Sequence, residues 1–255
     1  RTLEKNGMLP VTGAHVDTAR RQLEWAITAV VSRAHDDLAP AIDRVWRDEV
    51  DGLRRDLRLW FDELLVRDAR DWIPERFELA FGLPPDSARD PHSTPAPARV
   101  GTPGFLLRGS IDLVERRADG AALRVTDHKT GKNRTTVATI VDGGRILQPV
   151  LYAVALEALT GEPVAEGRLS YCTSAGQFTT RVIALDDPIR RRGLEVLEIV
   201  DRALEHGMLA AKPGAVHGRS ACDYCDFAAV CGPDEPVRTR RKPDVPDLDA
   251  LRRMP

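Results

Sequence analysis

The sequence predicts an α/β fold in which a mixed central sheet is flanked by helices, with a helical N-terminal region and a cysteine-bearing C-terminal tail. The first observation is the order of the patterns, which runs helices, strand, hairpin, helix, hairpin, helix. The second is size, because 255 residues with 42% apolar content can bury a large core. The third is that no apolar run reaches about 18 residues, so we expect no membrane-spanning helix.

The N-terminal region is predicted to be helical. Residues 11–38 carry apolar side chains at helical spacing, and Pro40 is predicted to open a second helix with its own apolar stripe. We expect both stripes to form core. No signal peptide is visible, since the first ten residues lack an apolar stretch, and we expect a cytoplasmic protein. Because the chain starts without Met, we expect it to be a fragment of a longer polypeptide.

The first strand is predicted at Arg76–Phe81, where apolar and polar residues alternate. Phe77, Leu79 and Phe81 should face one way, with Glu78 on the other face. The next segment, 83–103, is rich in Pro, Ser, Ala and Asp and predicts a flexible loop without folded elements.

A central hairpin is predicted over 109–130, with strands at Phe105–Glu115 and Ala121–Asp127. Its first strand should carry Asp112 at its end, and its second strand delivers Asp127 and Lys129, which share a face because side chains alternate. An Ala-Asp-Gly turn at the tip would bring Asp112 beside them.

The three charged groups of this hairpin predict a metal site. Two neighbouring carboxylates repel each other unless a cation lies between them. Oxygen ligands of this kind suit Mg²⁺ or Mn²⁺, and a nearby lysine can orient or deprotonate a water, as in phosphodiester hydrolysis. The alternative is an exposed hairpin with ordinary surface charges.

A strongly apolar helix is predicted at Arg145–Thr160, with Pro149 in its first turn and Gly161 closing it. Gln148 and Tyr152 are four residues apart and lie on one face. A buried tyrosine with a satisfied hydroxyl is the alternative interpretation.

The remaining core elements are a second hairpin and a second long helix. The hairpin strands are Arg168–Ser174, which contains Cys172, and Gln177–Ala184. The amphipathic helix is predicted at Pro188–His206.

Three of the four cysteines form a Cys-x2-Cys-x5-Cys array made of Cys222, Cys225 and Cys231. This spacing favours a zinc ion or an iron–sulfur cluster over disulfides in a chain without an export signal. A fourth ligand could be Cys172, His217 or a residue upstream of the chain. Free reduced cysteines are the alternative.

Charge and motifs narrow the function classes. The formal net charge is −2, and the local basic clusters at 190–192 and 238–242 are either solvated faces or phosphate contacts. No Gly-x4-Gly-Lys-Ser/Thr loop is present, so we expect no ATP-driven motor in this chain.

Four motifs follow one another in the chain: Gly109-Ser-Ile-Asp112, Asp127-His-Lys129-Thr-Gly131, Gln148-x3-Tyr152 and the three-cysteine tail. Together they resemble the RecB-type nucleases of the PD-(D/E)xK superfamily, which include helicase–nuclease domains and CRISPR-adaptation exonucleases. The resemblance runs from about residue 77 to residue 242. It implies a restriction-endonuclease-like core.

The resemblance also implies roles for individual residues. Asp112 and Asp127 would hold the divalent metal together with the backbone carbonyl of His128. Lys129 would position or activate the attacking water. Gln148 and Tyr152 would orient the site and touch the DNA backbone, and Glu78 would support the metal. Cys222, Cys225 and Cys231 would be three of the four ligands of a 4Fe–4S cluster.

The chain departs from the family pattern in two places. A histidine on an early helix often completes the family's metal site, but His15 lacks the expected Gly-x-x-x-His setting. The family's first cluster cysteine usually lies near the domain start, and here no cysteine precedes Cys172. Both departures would fit a missing N-terminal segment.

These features predict four regions and one leading function. Residues 1–70 would be the truncated helical region, 71–210 the nuclease core, 211–242 the cluster-binding segment and 243–255 a tail. The predicted function is a Mg²⁺- or Mn²⁺-dependent exonuclease acting on single-stranded DNA ends in repair or recombination, with a helicase as partner or fusion. The alternatives are a non-catalytic DNA-binding module and a zinc-stabilised interaction domain.

Overall fold

A five-stranded mixed sheet forms the centre of the protein, as predicted. The computed structural model describes residues 2–66, 70–102, 104–207, 215–216, 219–242 and 246–255. The strand order is β1-β4-β5-β6-β7, and β5 and β6 are parallel while the other neighbours are antiparallel. The strands of this sheet are β1 (Trp72–Phe81), β4 (Gly109–Arg117), β5 (Leu123–Lys129), β6 (Val164–Tyr171) and β7 (Thr180–Ala184).

Two short ribbons, eight α-helices, a π-helix at Phe61–Val66 and four 3-10 turns make up the rest of the described secondary structure. The ribbons are β2 (Ala98–Val100) with β3 (Phe105–Leu107), and β8 (Ala215–Val216) with β9 (Arg219–Ser220). The longer helices are α2 (Val16–Leu38), α3 (Asp43–Trp60), α4 (Gln148–Thr160) and α5 (Asp187–Glu205). The short helices are α1 (Thr2–Lys5), α6 (Ala228–Cys231), α7 (Glu235–Arg241) and α8 (Asp249–Arg252). Within the described part of the chain, no helix combines the length and the apolarity needed to cross a bilayer.

Helix α4 is the crossover between the parallel strands β5 and β6, and it packs directly on the sheet. Its buried residues Ala153 and Leu156 join a core cluster with Ile111, Leu123 and Val125. Its first turn approaches β6 so closely that a Cβ atom on Gly167 would lie 2.0 Å from the Pro149 carbonyl oxygen. Glycine at this position therefore allows the start of α4 to lie against the sheet.

The predicted boundaries of α4 and α5 are confirmed to within a few residues. Pro149 lies in the first turn of α4, and Gly161 caps its end with a φ of 71°. Helix α5 begins where Asp186 accepts a hydrogen bond from the backbone N–H of Ile189, as an N-cap does.

The two N-terminal stripes form the expected core only in part. Ala19, Ile27 and Phe61 are buried, whereas helix α3 has no buried residue and Val30 and Ile42 are exposed. The prediction that Pro40 opens the second helix is also wrong, because α3 begins only at Asp43. Helical spacing shows that a helix has an apolar face, but not whether another element covers it.

Alternation along β1 is interrupted at Glu78, so the prediction that Phe77, Leu79 and Phe81 share a face is wrong. Glu78 has a φ of 57°, a conformation that residues other than glycine rarely adopt. Leu79 and Phe81 join the core cluster, while Phe77 lines a cleft on the α2 side. The strand therefore divides its apolar residues between two environments.

The central hairpin extends beyond its predicted ends. Asp112 does not end its strand, because β4 continues to Arg117, and residues 105–107 form the separate strand β3. Cys172 does not lie within a strand either, since β6 ends at Tyr171. Antiparallel pairing with β1 and β5 continues past Asp112 to Arg116 and Arg117, so β4 is longer than its polar residues indicated.

The segment 83–103 is folded in its described part, so the prediction of a flexible loop is wrong. The buried carboxylate of Asp90 accepts hydrogen bonds from the backbone N–H groups of Phe77 and His92, each at 2.9 Å. Ala98 and Val100 are buried in β2. The polar composition of the segment did not indicate that Asp90 would be buried. Its carboxylate holds the segment in place by accepting hydrogen bonds from backbone N–H groups.

We expect Asp90→Asn to lower the free energy of unfolding at neutral pH by about 1–3 kcal/mol, because the amide would face a backbone donor. Burial raises the pKa of Asp90, but the hydrogen bonds from His92 and Phe77 outweigh it and the pKa falls below its ordinary value of 3.8. The contribution of Asp90 is therefore complete above that value and is lost as the pH falls through the lower, folded pKa.

Urea titrations between pH 2.5 and 7 would measure this difference. The wild type and the variant should differ most at neutral pH and converge in acid. Asp86→Asn, at an exposed carboxylate of the same segment, should stay within about 0.5 kcal/mol of the wild type. A wild-type-to-Asp90→Asn difference that does not depend on pH would contradict the assignment.

Candidate active site

The two predicted carboxylates lie on neighbouring strands. Leu113 of β4 pairs with Thr126 of β5, which places Asp112 across from Asp127. The backbone N–H of His128 donates to Asp112 Oδ2 at 2.7 Å, so this carboxylate is held against β5. The hairpin thus brings both acids to one region, as the spacing of the motifs indicated.

Asp127 is a buried carboxylate with an incompletely satisfied oxygen. Its Oδ2 atom has no hydrogen bond of good geometry among the described residues, and its close contact is an ion pair with Lys129 Nζ at 2.6 Å. Burial raises the pKa of Asp127, and the neighbouring charge of Asp112 raises it further, while Lys129 opposes both. A buried oxygen in this state favours the approach of a cation.

Lys129 is held by two elements at once. Its Nζ donates to Gln148 Oε1 at 2.7 Å, from the first residue of α4, and also contacts Asp127. The side chain of Lys129 is about one-third exposed, so the ammonium remains accessible from solvent. Lys129 therefore connects the predicted hairpin to Gln148, one of the two residues predicted to share a face of α4.

Tyr152 lies one turn along α4 from Gln148. Its ring packs edge-on against Phe81, with 6.1 Å between the ring centroids. Gly109 leaves room for this ring, because a Cβ atom there would lie 2.9 Å from Tyr152. Burial raises the pKa of the Tyr152 hydroxyl, which therefore keeps its proton and can donate a hydrogen bond at neutral pH.

A buried charge network holds β5 from its other face. The carboxylate of Glu115 accepts hydrogen bonds from Arg124 at 2.7 Å, from Arg168 at 3.0 Å and from Thr126 at 2.6 Å. The side chains of Glu115 and Arg124 are each 4% exposed. Removing one partner would leave a buried charge uncompensated, so the network fixes the positions of β4, β5 and β6 relative to one another.

These residues fit one divalent cation. The described residues contain no group of three or more His, Cys, Asp or Glu side chains placed to hold a metal ion. Mg²⁺ is commonly bound by one or two carboxylates and keeps several waters, so Asp112 and Asp127 are a sufficient side-chain set. Asp127 Oδ2, whose close contact is the Lys129 ammonium at 2.6 Å, is the buried oxygen that a divalent cation would approach.

A comparison with protein families gives a match over residues 8–232 to the PD-(D/E)XK nuclease superfamily. The chain belongs to the PD-(D/E)XK nuclease superfamily. The match includes the helical N-terminal region, the sheet, α4 and the three cysteines. A nuclease, that is, a hydrolase of phosphodiester bonds, is the activity that this membership supports.

One curated relative is a CRISPR-associated exonuclease Cas4/endonuclease Cas1 fusion from Leptospira interrogans serogroup Icterohaemorrhagiae serovar Lai (strain 56601). It is 28% identical over 130 residues, which are 51% of this chain and 23% of the relative. The matched region is therefore less than a quarter of that fusion protein.

Two residues of the helical region lie close to the candidate active site, and the sequence patterns indicated neither of them. Trp60, interpreted as core, packs edge-on against His128 with 6.2 Å between the ring centroids. Gln22 of α2 lines a cleft that also contains Asp112. Their sequence distance from the motifs hid them, although Trp60 stands out as a large aromatic at the end of a charged helix.

Helix α3 also contacts the turn that follows β6, close to the candidate active site. Asp56 Oδ1 accepts a hydrogen bond from the backbone N–H of Ser174, beyond the end of β6.

Burial lowers the pKa of His128, although the charge of Asp112 opposes this, so the imidazole is neutral at neutral pH. The site is bordered on one side by α2 and α3, together called the helical arm, and on the other side by α4.

Two further candidates take different positions. Glu78 lines the cleft beside Asp112, and Ser110 Oγ lies 3.5 Å from its Oε2 atom. His15 is exposed and precedes the first turn of α2, and it is not among the residues that line this cleft.

The tail cysteines are not gathered as metal ligands in the described residues. Cys225 and Cys231 are exposed and Cys222 is partly buried, without a disulfide. Cys172 lies elsewhere, with its Sγ 3.5 Å from the Lys129 carbonyl oxygen at the C-terminal end of β5. His217, the other candidate fourth ligand, lies outside the described residues. No cluster is shown among the residues that the structure describes.

Proposed function

We propose that this chain is a divalent-metal-dependent deoxyribonuclease that degrades single-stranded DNA from an end. The observation that supports it most strongly is the buried, incompletely satisfied Oδ2 atom of Asp127 beside Asp112 and Lys129. Family membership supports phosphodiester hydrolysis, and the name of the Leptospira relative includes an exonuclease. DNA as the substrate, the metal and the mode of attack are parts of the proposal.

Asp112, Asp127 and the backbone carbonyl of His128 would hold the cation. When bound, a divalent cation lowers the pKa of a coordinated water and offsets the charge that develops on the phosphate. Lys129 orients the attacking water and donates to the phosphate oxygen that gains charge. Gln148 fixes the Lys129 ammonium, because its Oε1 atom accepts from Nζ at 2.7 Å. The hydroxyl of Tyr152 donates a hydrogen bond to the DNA backbone.

End-labelled single- and double-stranded DNA would test the proposal, with Mg²⁺, Mn²⁺ or EDTA added. We expect metal-dependent degradation that is faster on single strands and is abolished by EDTA. The order in which products appear gives the polarity of digestion. DNA binding without cleavage under any metal condition would contradict a nuclease and favour the DNA-binding module.

We further propose that Cys222, Cys225 and Cys231 bind a 4Fe–4S cluster, which the spacing of the cysteines supports and their positions in this structure do not. Anaerobically purified protein should be brown and contain about four irons per chain. Cys225→Ser should remove the iron, and Cys172→Ser should keep it if a residue other than Cys172 is the fourth ligand. A colourless protein with stoichiometric zinc would instead indicate a structural zinc site.

A further inference from the structure

A cleft of about 510 Å³ opens beside the candidate metal site. It lies between α2, the end of α3 and the strands β1, β4 and β5. Aromatic and aliphatic side chains provide most of its walls, and the aromatic ones are Trp60, Phe61 and Phe77. Clefts of roughly 300–1,000 Å³ with apolar walls and a few polar groups are typical of small-molecule sites.

The cleft and the candidate active site share residues. Asp112 and His128 line the cleft, and the backbone N–H of His128 fixes Asp112 Oδ2. Lys129, Gln148 and Tyr152 do not line it. An occupant of the cleft would therefore lie next to the carboxylates, on the side away from the lysine.

The lining chemistry excludes a phosphate as that occupant. No lysine or arginine is among the described residues that line the cleft, whereas the carboxylates of Glu78 and Asp112 are. A phosphate would be repelled by these groups and would not gain a counter-charge. A planar, uncharged group with apolar faces and polar edges suits the walls of Trp60 and Phe77 and the amide of Gln22.

We propose that this cleft receives one unstacked nucleobase of the substrate strand, adjacent to the phosphodiester that is cleaved. The inference rests on the proposed nuclease function and gives a structural reason for the single-strand preference that is proposed with it. A base within a duplex is paired and stacked, so it enters such a pocket only after it leaves the helix. Trp60 and Phe77 provide the aromatic surface on which a base stacks without regard to sequence.

The test uses a labelled single-stranded oligonucleotide with one abasic residue at a defined position. We expect the wild type to cleave the phosphodiester beside the abasic residue about tenfold more slowly than the same bond in intact DNA, as lost base stacking predicts. Bonds several nucleotides away serve as the internal reference. Equal cleavage beside the abasic residue and elsewhere would overturn the inference.

A matched pair of variants locates the effect. Ala26 lines the cleft and is exposed, so Ala26→Trp fills the space without removing a core contact. This variant should lose the difference between intact and abasic DNA. Ala29→Trp is the same substitution on α2 at an exposed position outside the cleft lining and should behave like the wild type. Loss of the difference in both variants would contradict the cleft as its source.

A substrate without a base separates this inference from the proposed function. Hydrolysis of bis(p-nitrophenyl) phosphate by the wild type reports whether the chain hydrolyses a phosphodiester that carries no nucleobase. If the wild type hydrolyses it but does not distinguish abasic from intact DNA, only the base pocket is wrong. If it hydrolyses neither substrate, the nuclease proposal fails, and the cleft is then judged by binding. Equal Kd values for intact and abasic trinucleotides would overturn it.

Discussion

We expect Lys129→Ala to eliminate DNA cleavage and to leave metal binding intact. The ammonium contacts Asp127 and Gln148, and neither contact is needed to hold a cation between Asp112 and Asp127. A group that positions the water and stabilises charge on the phosphate contributes about 10²–10⁴-fold to the rate. We therefore expect a loss on the order of 10³-fold.

The matched control for this variant is Lys132→Ala, an exposed lysine three residues further along the chain. It should keep the cleavage rate within about twofold, because a surface charge contributes little. Calorimetry with Mn²⁺ should give similar affinities for the wild type and both variants. Full cleavage by Lys129→Ala would refute the role of the lysine, and lost Mn²⁺ binding would show that it supports the metal site instead.

Asp127→Asn should abolish cleavage and stabilise the metal-free protein. The carboxylate is buried, and its pKa is raised chiefly by that burial, so the folded protein favours an uncharged group here. The amide has the same shape but is a weaker ligand for a hard cation. Loss of the bound cation should lower the rate by at least about three orders of magnitude, since it removes several kcal/mol of charge stabilisation.

Thermal unfolding would measure the stability half of this prediction. In EDTA the Tm of Asp127→Asn should exceed that of the wild type, and Mn²⁺ should raise only the wild-type Tm. Asp187→Asn changes a carboxylate that is 85% exposed and should alter neither Tm nor cleavage. A lower Tm for Asp127→Asn in EDTA would show that its ion pair with Lys129 outweighs the cost of burial.

The central motifs were predictable because their chemistry is local. Asp127 and Lys129 are separated by one residue in a strand, and Gln148 and Tyr152 by one helical turn, so each pair shares a face in any fold that preserves those elements. The hairpin turn then brings Asp112 across from Asp127. Short sequence distances therefore allowed these pairs to be predicted.

The contributions of the helical arm were not predictable from the patterns. Gln22 and Trp60 reach the site only through the packing of α2 and α3 beside β1 and β4, and no spacing rule connects them to Asp112. The same limit explains why Val30 and Ile42 were expected in the core and are exposed. An amphipathic stripe records a preference for burial and does not identify a neighbour.

The sequence by itself determined the mixed α/β sheet, the central hairpin with its acids and lysine, and the apolar crossover helix that carries Gln148 and Tyr152. Alternation, helical spacing and turn chemistry act over a few residues, so they can be read from the chain. Only the tertiary structure decided the burial of Asp127, the anchoring of Asp90 and the cleft beside Asp112. Each of these depends on groups that are far apart in sequence and meet only when the chain is folded.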